Sequence, residues 1–109
     1  MKDTKCASCE LDAEKITQEE QDYMMSVLTD WTIITDEAMK KVQRVYSFKD
    51  FKQAISFSNK VGDLAEKHNH HPAILTEWGK VTVTWWSHGI GALTLKDLDM
   101  AGGCDNLFV

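Results

Sequence analysis

The chain has 109 residues, of which 43% are hydrophobic and 27% are charged, with a net charge of −5, so it fits one globular domain. The acidic balance and the absence of a basic cluster argue against nucleic acid as the main partner, because phosphate binding requires clustered lysine and arginine. The chain has three cysteines, no apolar core of a signal peptide and no run of about 18 apolar residues, so a cytoplasmic protein without a membrane span is expected.

Residues 1–15 are polar and charged and show no hydrophobic period, so they are expected to form a flexible leader before a single domain at residues 16–109. The leader contains a C-x-x-C pair, Cys6 and Cys9, which fits half of a zinc site, a redox pair or incidental reduced thiols. A complete metal site would need ligands from another chain or from Cys104. Incidental thiols are the simplest expectation.

The first half of the predicted domain contains a helix followed by two strands. Thr17 and Glu20 form a capping-box pattern, and apolar residues at helical spacing follow, which predicts a helix over 18–28. Short segments rich in β-branched and aromatic residues predict strands at 31–35 and 39–48. A polar turn joins these strands, so they are expected to form a hairpin.

The strongest helix signal begins after Asp50, which pairs with Gln53 in a predicted N-cap. The helix is expected to end near His68, because Pro72 disfavours helical geometry in the residue before it. Small and apolar residues recur along one face, which is expected to pack on a sheet. That face contains Phe51, Ala54, Ile55, Ser58, Val61, Gly62 and Ala65.

Two further strands are predicted at 73–78 and 81–88, joined by a turn at Gly79 and Lys80. The second of them alternates cleanly, so its two faces are expected to differ in environment. One face carries Val81, Val83 and Trp85, and the other carries Thr82, Thr84 and Trp86.

The last helix is predicted from a cap signature, Thr94 followed by Asp97, and it is expected to stop at Gly102 and Gly103. The element order is therefore α-β-β-α-β-β-α. Hairpins separated by a helix indicate a four-stranded antiparallel sheet with helices packed on one face, which is an α+β fold.

The four histidines are His68, His70 and His71, directly before Pro72, and His88 further along the chain. Three interpretations remain open from the residues alone. A metal site is the first, although no familiar zinc-binding spacing is present. An acid–base centre is the second, because histidine titrates near neutral pH. A solvated polar connection is the third, and it suits His68, whose charge would be favourable in the last turn of a helix.

The segment "EKHNHHPAILTEWGKVTVTWWSHGIGALTLKDLDMA" resembles the signature of the pterin-4a-carbinolamine dehydratases. The similarity runs from about residue 31 to residue 101. It is greatest to the bacterial branch of the family, which accompanies phenylalanine hydroxylase. The motif consists of a His-His-Pro, a strand that ends in Ser/Thr-His, and an aspartate on the next helix. In this chain the matching residues are His70, His71, Pro72, Ser87, His88 and Asp97.

The resemblance implies a lyase that removes water from a 4a-hydroxy-tetrahydropterin and yields quinonoid dihydropterin. Such an enzyme recycles the pterin cofactor of an aromatic amino acid hydroxylase, which is an implied partner. Pterin is then the substrate, and no cofactor or metal is expected. The family forms homodimers through its sheets and tetramers through its helices, and the short predicted last helix puts a tetramer in doubt. The alternative is a regulatory or coactivator-type module that binds the hydroxylase.

The resemblance also implies roles for single residues. His70 and His88 are expected to form the acid–base pair, while His71 orients the substrate and shares in proton transfer. Trp78 and Trp86 could stack on a flat pterin, although a tryptophan in a hairpin more often packs in a core or an interface. For Asp97, a role as a helix cap is an equally good interpretation. The positions assigned to substrate binding are Glu66, Pro72, Ser87, Asp97 and Trp78.

Overall fold

A four-stranded antiparallel sheet with helices on one face forms the structure, which is a computed structural model and describes residues 16–108. The predicted order α-β-β-α-β-β-α and the α+β class are confirmed. The predicted leader lies outside the described residues. The elements are α1 (Gln18–Val27), β1 (Thr32–Asp36), β2 (Met39–Ser47), α2 (Phe51–His68), β3 (Ala73–Glu77), β4 (Lys80–Trp85) and α3 (Leu95–Leu107).

The strand order in the sheet is β1-β2-β4-β3, so β1 and β3 are the edge strands. Val42 of β2 lies opposite Trp85 of β4, and Ile74 of β3 lies opposite Val83. The alternation predicted for β4 is confirmed, because its apolar face is fully buried against the helices. The buried side chains of this face are Val81, Val83 and Trp85.

Capping interactions fix where the first two helices begin. The Glu20 backbone N–H donates to the Thr17 hydroxyl at 3.1 Å, and the Thr17 N–H donates to the Glu20 carboxylate at 3.0 Å. The predicted capping box is therefore present, and the hydrogen bond from Thr17 lowers the pKa of Glu20. At α2, the Gln53 N–H donates to the Asp50 carboxylate at 2.8 Å, as predicted.

Helix α2 buries a slightly different face from the predicted one. Ala54, Val61 and Ala65 are buried as expected, but the predicted Phe51 and Ile55 are largely exposed. Phe57, which the spacing did not select, is buried instead. The buried residues recur at three- and four-residue spacing and form one stripe along the helix, and Phe51 and Ile55 lie beside that stripe.

Helix α3 continues to Leu107, so the prediction that it stops at the two glycines was wrong. A Cβ on Gly103 would lie 3.2 Å from the Leu64 side chain, which indicates that glycine allows α3 to approach α2 closely. The helix has thirteen residues, and its length gives no reason to doubt a tetramer.

Asp105 anchors the final turn of α3, a role that the sequence analysis missed. One carboxylate oxygen accepts hydrogen bonds from the Trp31 indole N–H at 3.0 Å, from Arg44 at 2.8 Å and from the Tyr46 hydroxyl at 2.5 Å. Burial and this carboxylate raise the pKa of Tyr46. Because the three donors come from β2 and the segment before β1, tertiary contacts outweigh the local helix-breaking tendency of glycine.

Candidate active site

The corner between α2 and β3 turns the His70 side chain into the protein. Asn69 ends the helix in the left-handed conformation, with φ 50°, and the His70 N–H donates to the Ala65 carbonyl at 3.1 Å. The His70 side chain is only 1% exposed, and its Nε2 lies 2.6 Å from Oδ1 of Asp97. Since a carboxylate only accepts, Nε2 carries the proton of this hydrogen bond.

Asp97 is fully buried and joins three parts of the chain. Its Oδ2 accepts the Ser87 hydroxyl at 2.9 Å and the Thr94 backbone N–H at 2.9 Å, while Oδ1 faces His70. The two interpretations of Asp97 are therefore compatible, because one oxygen caps α3 and the other holds the imidazole. The His70 ring also stacks on Trp85, with ring centres 5.7 Å apart and an angle of 8° between planes. This network fixes His70 rigidly.

His71 points to the opposite side, as adjacent residues in an extended segment do. Its side chain is 54% exposed, and its Nε2 lies 2.5 Å from Oε2 of Glu66, in the last turn of α2. Glu66 therefore accepts a hydrogen bond from a histidine of the motif. Pro72, half-buried, follows at once and leads into β3.

His88 lies in an exposed turn beside His71. The predicted strand 81–88 ends earlier, at Trp85, and Ser87 forms an isolated bridge with Ala92. Nε2 of His88 lies 3.2 Å from the backbone oxygen of His71. Because a carbonyl oxygen only accepts, Nε2 donates, and the lone pair of the neutral ring is on Nδ1. His71 and His88 are thus neighbours at the exposed rim.

Trp78 is the one predicted site residue that the structure does not bring to the histidines. It lies in the turn between β3 and β4 and is 73% exposed. The strand β3 separates it from His71, and five residues at about 3.3 Å each span roughly 17 Å. A substrate held between His71 and His88 would therefore not contact Trp78.

Two contacts near His88 involve Trp86, which the sequence suggested as a stacking surface for the pterin, and Lys41, which the sequence did not suggest. The Trp86 ring stacks on the His88 ring, with centres 4.4 Å apart. The Lys41 ammonium lies 4.0 Å from the centre of the Trp86 ring and 3.0 Å from the Asp36 carboxylate. No local pattern could identify Lys41, because only the pairing of β2 with β4 places it beside Trp86.

A metal site was one interpretation of the histidines. Within residues 16–108, no group of three or more His, Cys, Asp or Glu side chains is arranged to hold an ion. Cys104 is buried in the core, and burial raises the pKa of its thiol to about 12. At neutral pH it is therefore a thiol, whereas metals bind the thiolate. The predicted leader cysteines, Cys6 and Cys9, lie outside the described residues.

Two cavities lie away from the histidines. One, of about 220 Å³, is lined by aromatic residues between α2 and the end of α3, among them Phe48, Phe57 and Phe108. The other, of about 500 Å³, lies between α1 and α3, beside Met24 and Leu98. Neither is lined by a histidine, the side chain whose ordinary pKa lies nearest to neutral pH, so the histidine rim is the better candidate site.

Three comparisons with known proteins found similar sequences and structures. The sequence model of the family described as pterin 4 alpha carbinolamine dehydratase matches residues 14–107. A Chlorobaculum tepidum protein, provisionally named as a pterin-4-alpha-carbinolamine dehydratase, is 48% identical over 102 residues, which cover 94% of this chain and 92% of the relative.

No helix within residues 16–108 is long and apolar enough to cross a membrane.

Solved structures with the same fold were also found. A transcriptional coactivator/pterin dehydratase from Brucella melitensis superposes with a TM-score of 0.76 at 26% identity, over 86% of this chain and 98% of that one. A pterin dehydratase-like protein described as a RuBisCO assembly factor in the alpha-carboxysome gives a TM-score of 0.59 at 19% identity, over 72% and 88% of the two chains. The second likeness concerns the fold alone.

Proposed function

The chain belongs to the pterin 4 alpha carbinolamine dehydratase family, and on this premise we propose that His71 and His88 remove water from a 4a-hydroxy-tetrahydropterin by acid–base catalysis. The family makes the protein a dehydratase, which is a hydro-lyase. The observation that carries the proposal is the placement of two exposed histidines next to each other, where Nε2 of His88 contacts the backbone oxygen of His71 and the buried hydrogen bonds of Asp97 hold the adjacent His70. The matching motif residues lie far apart in sequence and converge at this point.

The proposed reaction breaks one bond, C4a–O, and requires two proton transfers from the protein's side. The C4a–O bond breaks, the hydroxyl takes up a proton and leaves as water, and N5 loses its proton as the C4a=N5 double bond of quinonoid dihydropterin forms. No electrons are exchanged with an external group, so the proposed mechanism needs no redox cofactor, and the two imidazoles are proposed to supply the proton transfers without a metal. One of the two rings donates the proton to the oxygen, and the other accepts the proton of N5. Positioned acid–base groups of this kind contribute about 10²–10⁴-fold in rate.

We assign His70 a positioning role, which differs from the pairing of His70 with His88 expected from the resemblance. Its ring is held between Asp97 and Trp85 and has almost no exposed surface. His71, by contrast, is half exposed and adjoins His88. A substrate could therefore contact His71 and His88 without any movement of the core, and Ser87 and Pro72 would shape the corner.

Stopped-flow absorbance of freshly generated 4a-hydroxy-tetrahydropterin tests the proposed activity. The protein is expected to accelerate formation of the quinonoid product by at least tenfold over buffer, since general acid–base help is worth more than this. The matched control is a His71→Ala/His88→Ala double variant, which keeps the buried Asp97 network. If the wild-type protein leaves the spontaneous rate unchanged, the proposed activity is wrong.

The biological setting follows from the same chemistry. Because a hydroxylase that uses tetrahydropterin releases the 4a-hydroxy form, we propose that the enzyme recycles the cofactor of such a hydroxylase in the cytoplasm. The alternative of a regulatory or coactivator-type partner has one observation in its favour, since the similar Brucella melitensis protein is described as a transcriptional coactivator as well as a pterin dehydratase. A loss of dehydration in the histidine variants with unchanged hydroxylase binding would separate the two functions.

We also propose a homodimer through the exposed edge of β3. Leu75, at the centre of this strand, is 57% exposed, and Trp78, which follows the strand directly, is 73% exposed. In a two-fold antiparallel pairing centred on β3, the two copies of Leu75 would face one another. Leu75→Arg would place like charges opposite each other, which destabilises strand pairing.

Size-exclusion chromatography with light scattering measures this effect. The wild-type protein is expected to have the mass of at least a dimer, and Leu75→Arg is expected to shift it to a monomer at micromolar concentration. Val45→Arg, on an interior strand and similarly exposed, is the control and should leave the mass unchanged. A Leu75→Arg protein that keeps the wild-type mass would contradict pairing through β3.

A further inference from the structure

His88 has few contacts of its own at the rim of the candidate site. It lies in an exposed turn, and its ring makes one long hydrogen bond, of 3.2 Å, to the backbone oxygen of His71. A histidine that transfers a proton must hold its reacting nitrogen within a fraction of an ångström of the productive position. The contacts that hold the ring of His88 in position are therefore expected to affect the rate of the reaction.

The ring of Trp86 supplies the main surface against which His88 rests. Their ring centres are 4.4 Å apart, and the planes differ by 30°, which is a stacked arrangement. Trp86 follows β4 directly, and its neighbours Trp85 and Ser87 are both buried. The backbone that carries Trp86 is therefore anchored on both sides, unlike the turn that carries His88.

Lys41 in turn restrains Trp86. Its ammonium lies 4.0 Å from the centre of the indole ring, within the range of a cation–π interaction. The Lys41 side chain is only 14% exposed, and an ion pair of 3.0 Å with Asp36 holds it from the neighbouring strand. A line of contacts thus runs from Asp36 through Lys41 and Trp86 to His88, across the face of the sheet that carries no helix.

We propose that Trp86, held in place by Lys41, is the positioning residue for His88 in the dehydration. The stack fixes the plane of the imidazole, and the hydrogen bond from Nε2 to His71 leaves Nδ1 as the nitrogen that meets the substrate. This inference rests on the proposed function. It assigns Trp86 to His88 and not to the pterin ring, which was the role considered from the sequence.

Steady-state kinetics of three variants test the proposal. Trp86→Ala is expected to lower kcat by roughly tenfold and to change KM by less than about threefold. This loss of rate is smaller than the 10²-fold that a misplacement of about 1 Å can cost. Trp86→Phe keeps a stacking surface and should recover most of the loss. Lys41→Met keeps the side-chain stem but removes the charge, and a smaller decrease in kcat is expected.

Lys40→Met is the matched control for Lys41, because adjacent residues of β2 point to opposite faces of the sheet. Its kcat should equal that of the wild-type protein. A Trp86→Ala protein with normal kcat, or one whose loss lies wholly in KM, would overturn the positioning role. If Trp86→Ala does not fold, Trp86→Leu, which also lacks a stacking ring, takes its place in the test of the positioning role. A normal kcat in Lys41→Met would overturn the restraint by Lys41.

Proton NMR of the wild-type protein tests the geometry without any substrate. The ring current of Trp86 should shift the carbon-bound ring protons of His88 upfield, and the shift should disappear in Trp86→Ala. An unshifted His88 in the wild-type protein would overturn the inference, whatever the kinetics show. A shifted His88 in a protein without dehydratase activity would instead leave the placement intact and contradict the proposed function.

Discussion

Replacing His88 with alanine is expected to lower kcat for dehydration at least tenfold and to leave the fold intact. The reason is that His88 is exposed, so its removal takes away a proton-transfer group without opening a cavity. Stopped-flow absorbance measures the rate, and circular dichroism with thermal unfolding measures the fold. The same result is expected for His71→Ala, whose side chain is half exposed.

His68→Ala provides the matched control, because His68 lies exposed at the end of α2, two residues from the motif, and Lys96 contacts its backbone oxygen, which the substitution keeps. Its rate and its thermal midpoint should both equal those of the wild-type protein. Near-normal dehydration by both His88→Ala and His71→Ala would sink the assignment of these residues. A rate loss accompanied by partial unfolding would point to a structural role.

His70→Ala separates the two accounts of the motif. If His70 acts by positioning, its replacement should lower both the stability and the rate, because the Asp97 network loses its imidazole. If instead His70 forms the acid–base pair with His88, the same loss of stability should come with a rate as low as that of His88→Ala.

The fold could be predicted because its signals are local. The pairing of Thr17 with Glu20 and of Asp50 with Gln53 depends only on residues three apart, and both caps are present. The alternation along 81–85 likewise depends on the pleat of one strand. The order of hairpins and helices then leaves few arrangements other than an antiparallel sheet covered on one side.

Features that depend on contacts between distant segments could not be predicted. The last helix continues through Gly102 and Gly103 because Asp105 forms hydrogen bonds to the sheet. A prediction from local sequence considers only the two glycines and therefore ends the helix there. The burial of His70 follows from the left-handed Asn69 before it, which turns one histidine inward and leaves His71 outside. The site residues could thus be named from the motif, but their exposure could not.

Replacing Asp97 with alanine is expected to cause the largest loss of stability of any single change in the site. The carboxylate accepts hydrogen bonds from His70, from Ser87 and from the backbone of Thr94, all of them buried. A buried donor that loses its acceptor costs about 1–3 kcal/mol, so three donors imply a loss of roughly 3 kcal/mol or more. For a domain of this size, that lowers the thermal midpoint by roughly 10–20 °C.

Thermal and urea unfolding measure this loss, and two variants make the test specific. Asp97→Asn keeps the shape and one acceptor oxygen, so its midpoint should lie between those of the wild-type protein and Asp97→Ala. Asp99→Asn, exposed on the same helix, should be neutral. In a double-mutant cycle, the double variant Asp97→Ala/His70→Ala should lose less free energy of unfolding than the two single variants added together. Each single change leaves the other residue buried without this hydrogen-bond partner, whereas the double change removes both residues of the pair. Full additivity would mean that the hydrogen bond between His70 and Asp97 does not hold the corner between α2 and β3 against α3. His71 and His88 would then need a different structural support.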